Sequence, residues 1–284
     1  MKENCPSDTA LRVAFRRAAH QILDDPKVFD DPLALRILGV EKVTALEQRP
    51  EWLEETALSR VLRASLAARS RYAEDELQNA VVRGVQQYIV LGAGLDTFAY
   101  RNPYPDGVLN VFEVDHPATQ NWKRARFEES GISVPKTLTF TPMDFESQTL
   151  AECLLQVGFD PRKGTFISWL GVTAYLTDSA ITATLQFVLS LRAGSGVVFD
   201  YLILPSLLSP TERQVFNSLA DRVALAGEPF KSFFDPSTLK STLKAMGFRQ
   251  IKDIEPEEMN TRYFQGRSDK LRVGRLAHIM NARI

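Results

Sequence analysis

The residues best suited to chemistry in this chain are a glycine turn, two acids that end strands, and one arginine on an apolar stripe. Gln87-Tyr88-Ile89-Val90-Leu91 is an apolar run of one strand's length that stops at Gly92-Ala93-Gly94. Glycine tolerates positive φ, and its missing side chain lets a ligand lie against the main chain. A turn at the carboxyl end of a strand also aims backbone N–H groups into the crevice beyond it. A bare Gly-x-Gly serves equally as a tight strand-to-helix turn, so its meaning depends on its surroundings. Asp115 ends a second apolar run, 23 residues beyond Gly92, where ribose-binding carboxylates sit in nucleotide-binding α/β sheets. Asp144 ends a third. Both acids have an alternative role as caps of the helices that follow them. Arg69 falls seven positions after Leu62 and three after Leu66, on the apolar stripe of a long helix. Arg71 lies about 200° further round and points away. An inward guanidinium needs a partner, either a structural carboxylate or the anionic group of a ligand.

The elements that position these residues follow from periodicity. A helix runs from Ser7 or Asp8 with Leu11, Phe15, Ala18 and Ile22 on one stripe and stops near Asp24-Asp25-Pro26. Asp30-Asp31-Pro32 opens a short helix over Leu33–Leu38 that ends at Gly39. A long helix reaches from about Glu54 to about Asn79, with Leu58, Leu62, Leu66, Tyr72, Ala73 and Leu77 on or near one face. After the glycine turn, Thr97 to Tyr100 starts a helix that Asn102-Pro103 stops. Strands are predicted over Val108–Asp115, Thr137–Met143, Thr165–Leu170 and Gly196–Tyr201, separated by helices over Ala118–Glu129, Thr149–Val157 and Asp178–Leu191. Segment 202–234 is helical and punctuated by Pro205, Pro210 and Pro229. A helix from Asp235 to Lys244 follows, then strands at Phe248–Ile254 and Leu276–Ile284.

Strands alternating with helices at this spacing imply a mostly parallel, Rossmann-like α/β sheet of seven strands with helices on both faces. The last strand, with no helix after it, is expected to be antiparallel. Residues 1–80 read as an N-terminal helical cap and 81–284 as the ligand-binding domain, with 202–234 a helical lid inserted after strand five. Such sheets bind ligands at the carboxyl ends of their strands, which places the glycine turn, Asp115 and Asp144 at one site.

Hydrophobic residues make up 44% of the 284, enough for a sizeable core, and 34 basic residues balance 35 acidic ones. That balance provides no footprint for nucleic acid or anionic lipid. Cys5 and Cys153 form no paired motif, and the histidines His20, His116 and His278 are far apart, so neither a disulfide framework nor a metal site is expected. The polar start and the absence of a long apolar run make a soluble, cytoplasmic protein the expectation.

Several separated segments resemble one family. Ala68-Arg69-Ser70-Arg71-Tyr72, Val90-Leu91-Gly92-Ala93-Gly94-Leu95-Asp96-Thr97, Phe112-Glu113-Val114-Asp115-His116-Pro117, Met143-Asp144-Phe145 and Trp169-Leu170-Gly171-Val172-Thr173-Ala174-Tyr175-Leu176 run in the order of the leucine carboxyl methyltransferase-like branch of the class I S-adenosylmethionine (SAM)-dependent methyltransferases. The resemblance covers roughly residues 8–201. It implies SAM as cofactor, with Arg69 on the carboxylate of its methionine part. Gly92, Ala93 and Gly94 would lie against it, with Asp115 at the ribose hydroxyls, Asp144 and Phe145 at the adenine, and His116, Trp169 and Leu170 also among the cofactor-binding residues. Many relatives carry Arg where this chain has Phe98 and Glu where it has Leu170, while some bacterial members share the Trp-Leu-Gly-Val pattern.

The expected reaction is transfer of a methyl group to a hydroxyl or carboxyl of a small molecule. A carboxylate acceptor needs no base, whereas a hydroxyl benefits from one. His116, Tyr175, Tyr201 and His20 are the candidate helpers, each also explicable as packing or turn closure. Phe216, Phe230, Phe233 and Phe234 are candidates for an apolar acceptor site or for the core of the insert. Two other readings stand beside this one, an NAD(P)-dependent oxidoreductase and a non-catalytic SAM-binding protein. The first lacks the third glycine of its fingerprint, since Thr97 occupies that position. Acceptor identity and oligomeric state are left open.

Overall fold

The computed structural model describes residues 8–48, 56–145 and 147–284. A cap at Ser7 and a helix start at Glu54 therefore lie outside the described residues. Helix α1 spans Asp8–Leu23, α2 Ala34–Leu38 and α3 Val40–Gln48. The sequence reading ended the short helix at Gly39 and had no α3. Gly39 does end α2, but at φ 84° it re-aims the chain straight into another helix.

Helix α4, Ala57–Val82, starts where the Thr56 hydroxyl accepts the Ser59 N–H at 3.1 Å. Its buried face carries Ala64, Ala67, Ala68 and Ala73, small residues that let it lie close to the sheet, together with the larger Tyr72 and Leu77. Leu62 and Leu66, read as core positions, are half-buried because they face a cavity.

The sheet has seven strands in the order β3-β2-β1-β4-β5-β7-β6. β1 is Gln87–Leu91, β2 Asn110–Asp115, β3 Leu138–Pro142, β4 Thr165–Trp169, β5 Gly196–Leu202, β6 Gln250–Ile254 and β7 Ala277–Arg283. The first five pair in parallel, and β7 lies antiparallel between β5 and β6. β1 and β4 are buried at every position, as a parallel sheet covered on both faces requires. Between the strands run α5 (Pro117–Glu129), α6 (Leu150–Gln156) and α7 (Asp178–Leu189). The stretch after Thr97 makes only a 3₁₀ turn, Phe98–Arg101.

Segment 202–234 carries α8, Pro210–Leu225, opened by a capping box between Ser209 and Glu212. It returns to where it left: Phe234 N–H donates to Leu202 O and Leu204 N–H to Phe234 O, each at 2.9 Å. Helix α9 is Pro236–Met246, capped by Asp235, and α10 is Pro256–Tyr263, an element absent from the sequence reading. No helix among the described residues is long and apolar enough to cross a membrane.

Candidate functional site

The glycine turn sits at the carboxyl end of β1 with Gly92 at φ 66° and Gly94 at φ 48°. Its amides are not free, contrary to the expectation from sequence. Gly92 and Ala93 N–H donate to Val114 O at 2.8 and 3.2 Å, and Gly94 N–H donates to Asp115 Oδ2 at 2.5 Å. Donors at a buried sheet end find the neighbouring strand before they find a ligand. The glycines are needed for close approach as well. A Cβ on Gly92 would stand 2.3 Å from Val172 Cγ2, and one on Gly94 would stand 3.2 Å from Ala10 Cβ.

Asp115 also accepts from His116 N–H at 2.7 Å, so two backbone donors orient its carboxylate at the edge of the crevice. Burial raises its pKa against the pull of those donors. Helix α5 is capped by His116, whose Nδ1 accepts the Ala118 N–H at 3.3 Å. Neither Asp115 nor Asp144 caps the following helix through its side chain: Thr149 caps α6. Asp96 and Thr97, distinctive in sequence, tie α1 to the turn. Arg17 pairs with Asp96 at 3.0 Å and with Asp31 at 2.7 Å, and Thr97 Oγ1 donates to Asp31 at 2.8 Å.

Arg69 faces inward and Arg71 outward, as the helix phase predicts. Arg69 Nη1 contacts Asp200 Oδ2 at 2.5 Å, with the two side chains 15% and 13% exposed. Asp200 Oδ1 accepts the Gly171 N–H at 2.6 Å. Gly171, at φ 74°, packs so closely that a Cβ there would sit 2.7 Å from Arg69 Nη2. Asp200 sits inside the otherwise apolar β5 and gave no separate signal in the sequence. The guanidinium has five donors, and one pairing with Asp200 leaves others for a second anion.

Two cavities meet at this arginine. The larger, about 480 Å³, lies over the carboxyl ends of β1, β2 and β4 and is lined by Gly92, Ala93, Gly94, Asp115, His116, Asp144, Phe145 and Leu170. The smaller, about 240 Å³, lies over the β5, β7 and β6 ends and is walled mainly by apolar side chains, among them Leu62, Leu66, Phe230, Met259 and Leu276. Thr9, Val13, Arg69, Gly171, Val172 and Tyr175 line both. Helix α1 and the loop after β4 thus form the common wall.

Five sequence-derived positions take more definite places. Trp169 is not at the cavity: Ser168 and Leu170 face it, and strand alternation turns Trp169 fully into the core beside Phe199. His20 is structural, since its Nδ1 lies 2.6 Å from Asp24 and its Nε2 accepts the Val28 and Phe29 N–H groups. His116 lines only the larger cavity, beside Asp115, away from the apolar chamber. Tyr201 lines the apolar chamber, but its hydroxyl donates to Asp253 at 2.9 Å, and burial with the neighbouring carboxylate raises its pKa. Tyr175 stands on the common wall, its pKa pushed up to about 12 by burial, which suits donating a hydrogen bond and not removing a proton.

Phe98 is core, edge-on to Tyr88 with centroids 4.9 Å apart. Of the four phenylalanines of the insert, Phe230 lines the chamber, while Phe216 and Phe233 pack behind it and Phe234 packs on Tyr201.

The site also contains a pair that the sequence did not bring together. His278 on β7 lines the apolar chamber, and its Nδ1 lies 3.2 and 3.3 Å from the two oxygens of buried Asp253 on β6. A carboxylate at Nδ1 holds the ring proton there and leaves Nε2 as the basic nitrogen.

The larger cavity fits SAM by the chemistry of its lining. A guanidinium suits the methionine carboxylate, the Asp115 carboxylate suits ribose hydroxyls, and Asp144 with Phe145 suits an adenine edge and face. Among the described residues no group of three or more potential metal ligands gathers.

Comparison with known proteins gives the same picture. The model of the leucine carboxyl methyltransferase family matches residues 10–189. The chain is 32% identical to YktD of Bacillus subtilis over 99% of both chains, and YktD is named for S-adenosyl-L-methionine-dependent methyl transfer. It is 34% identical to a similarly named protein of Mycobacterium marinum, over 74% of this chain and 70% of that one. In fold it is similar to a Thermobifida fusca structure described as a methyltransferase, with a TM-score of 0.58 at 15% identity over 99% and 96% of the two chains.

Proposed function

Because the chain belongs to the leucine carboxyl methyltransferase family of SAM-dependent methyltransferases, we propose that it methylates a hydroxyl or carboxyl oxygen of a small molecule held in the apolar chamber. The observation that carries this reading is the wall common to the two cavities. A donor bound in the larger one and an acceptor in the smaller would meet beside Arg69, Gly171, Val172 and Tyr175, which line both.

SAM supplies an electrophilic methyl on a sulfonium that is already an activated leaving group. The protein's work is alignment and exclusion of water. In this reading Arg69, held by Asp200, fixes the methionine carboxylate, while Gly92, Ala93 and Gly94 let the cofactor lie against the backbone. Asp115 takes the ribose hydroxyls, and Asp144 with Phe145 the adenine. His116 and Leu170 close the sides. For a hydroxyl acceptor, His278 Nε2 removes the proton while Asp253 steadies the imidazolium. A carboxylate acceptor needs neither.

Methyl-labelled SAM incubated with panels of phenols and carboxylic acids tests this directly. His278→Gln should slow transfer to a phenol by about 10²–10⁴-fold, the range for a positioned base, and leave transfer to a carboxylate within about threefold. Unchanged phenol turnover removes the base assignment. Label that reaches only nitrogen or protein acceptors overturns the small-molecule O-methylation reading.

A further inference from the structure

The apolar chamber carries charge that methyl transfer does not use. Helix α1 turns Thr9, Arg12, Val13 and Arg16 toward it at i, i+3, i+4 and i+7, and α8 turns Leu219, Arg222 and Val223 at i, i+3 and i+4. All three arginines therefore lie on chamber-facing stripes. The inward arginines elsewhere are matched: Arg17 with Asp31 and Asp96, Arg63 with Asp24, Arg101 with Glu74. Among the described residues no carboxylate pairs with Arg12, Arg16 or Arg222. Arg16 Nη1 reaches only the Arg12 carbonyl at 3.4 Å, and its Nε is buried without a hydrogen-bond partner. Among the described residues, the hydrogen bonds of Arg222 go to Ser218, one turn back.

Burial and the two neighbouring guanidiniums, in that order, lower the pKa of Arg16, as expected of a cation held near like charge with no counter-ion. Glu228, which α1 does reach, accepts from Thr9 and lines the larger cavity instead. Arg12 and Arg222 face solvent, so the cost falls on Arg16, partly buried between them on the rim of an apolar cavity, and an anion entering there would relieve it.

We propose that Arg12, Arg16 and Arg222 form an anion-recognition subsite, so that the acceptor is an amphiphilic anion. Its apolar body lies against Leu62, Leu66, Phe230 and Met259. Its carboxylate or phosphate sits at the arginines, which line only the smaller cavity, and the oxygen that takes the methyl lies toward the common wall. This rests on the reading of the smaller cavity as the acceptor chamber.

Calorimetry on the full chain with S-adenosylhomocysteine present, using 2-naphthoate, 2-naphthyl phosphate and neutral 2-naphthamide, tests it. The anions should bind at least about tenfold more tightly than the amide, as loss of a charge-assisted contact implies. Whichever of carboxylate and phosphate binds more tightly identifies the head group. Arg16→Gln and Arg222→Gln should each erase most of that preference while SAM affinity stays within about twofold. Arg222 is exposed, so its variant keeps the test open if Arg16→Gln fails to fold. Equal binding of amide and anions, or preference retained in both variants, overturns the subsite. If no probe binds while SAM does, the acceptor chamber itself is overturned. If SAM does not bind, the assignment of the larger cavity fails instead.

Discussion

Arg69→Ala is expected to weaken SAM binding by about 10–100-fold, while Arg71→Ala changes it by less than about twofold. A hydrogen bond to a charged group contributes about 1.5–3 kcal/mol, and each 1.4 kcal/mol is about tenfold in affinity. Arg69 is positioned for that contribution: its Nη1 is anchored on Asp200 at 2.5 Å, and Gly171 packs against the rest of the guanidinium. Anchoring reduces the entropy lost when a ligand carboxylate takes the remaining donors. Arg71, two residues on, is 50% exposed and pairs with Asp75 on the helix surface at 2.7 Å. Calorimetric titration of both variants checks the assignment, and equal losses would show that the guanidinium on the common wall is not the one that holds the cofactor.

Lys123→Met is expected to destabilise the fold by about 3–5 kcal/mol near pH 8, the cost of leaving one member of a buried ion pair alone, and by clearly less near pH 5. Lys123 on α5 lies 2.7 Å from Glu113 on β2, and both are 1% exposed. Burial pushes the Glu113 carboxyl up to about 7, despite the opposing pull of Lys123. Removing the lysine lets burial act with less opposition, so the lone carboxyl in the variant stays protonated to higher pH. The sign follows from linkage. A carboxyl whose folded pKa exceeds its ordinary value near 4.5 favours folding below that value and loses the contribution as pH rises through about 7. Denaturant titrations of both proteins at pH 5 and pH 8 measure the difference. A penalty equal at the two pH values would mean that Glu113 is not the group left stranded.

Much of the fold was legible because its signals are local. Apolar runs ending at Gly92, Asp115 and Asp144 marked three strand ends, and in a parallel sheet strand ends share one edge. The inward phase of Arg69 followed from its spacing to Leu62 and Leu66. Its partner was not legible, because Asp200 sits inside an apolar strand and meets Arg69 only through packing of α4 over the sheet. Asp253 and His278 were hidden for a similar reason: β7 enters the sheet between β5 and β6, and nothing local in the sequence marks that insertion. Trp169 could have been placed correctly, since period-2 alternation in β4 sends it to the face opposite Ser168 and Leu170. Helix α10 also left a signal, Pro256 at the first helical position followed by Glu257 and Glu258. His20 looked available because its contacts to Asp24, Val28 and Phe29 depend on how the chain folds back after α1.

The most direct test of the two-chamber account is a crystal structure of the protein with S-adenosylhomocysteine. The account predicts the adenine beside Asp144 and Phe145, the ribose hydroxyls on Asp115, the homocysteine carboxylate on Arg69, and the sulfur turned toward the wall formed by Gly171, Val172 and Tyr175. A nucleoside lying in the apolar chamber, or a sulfur facing away from that wall, would contradict it.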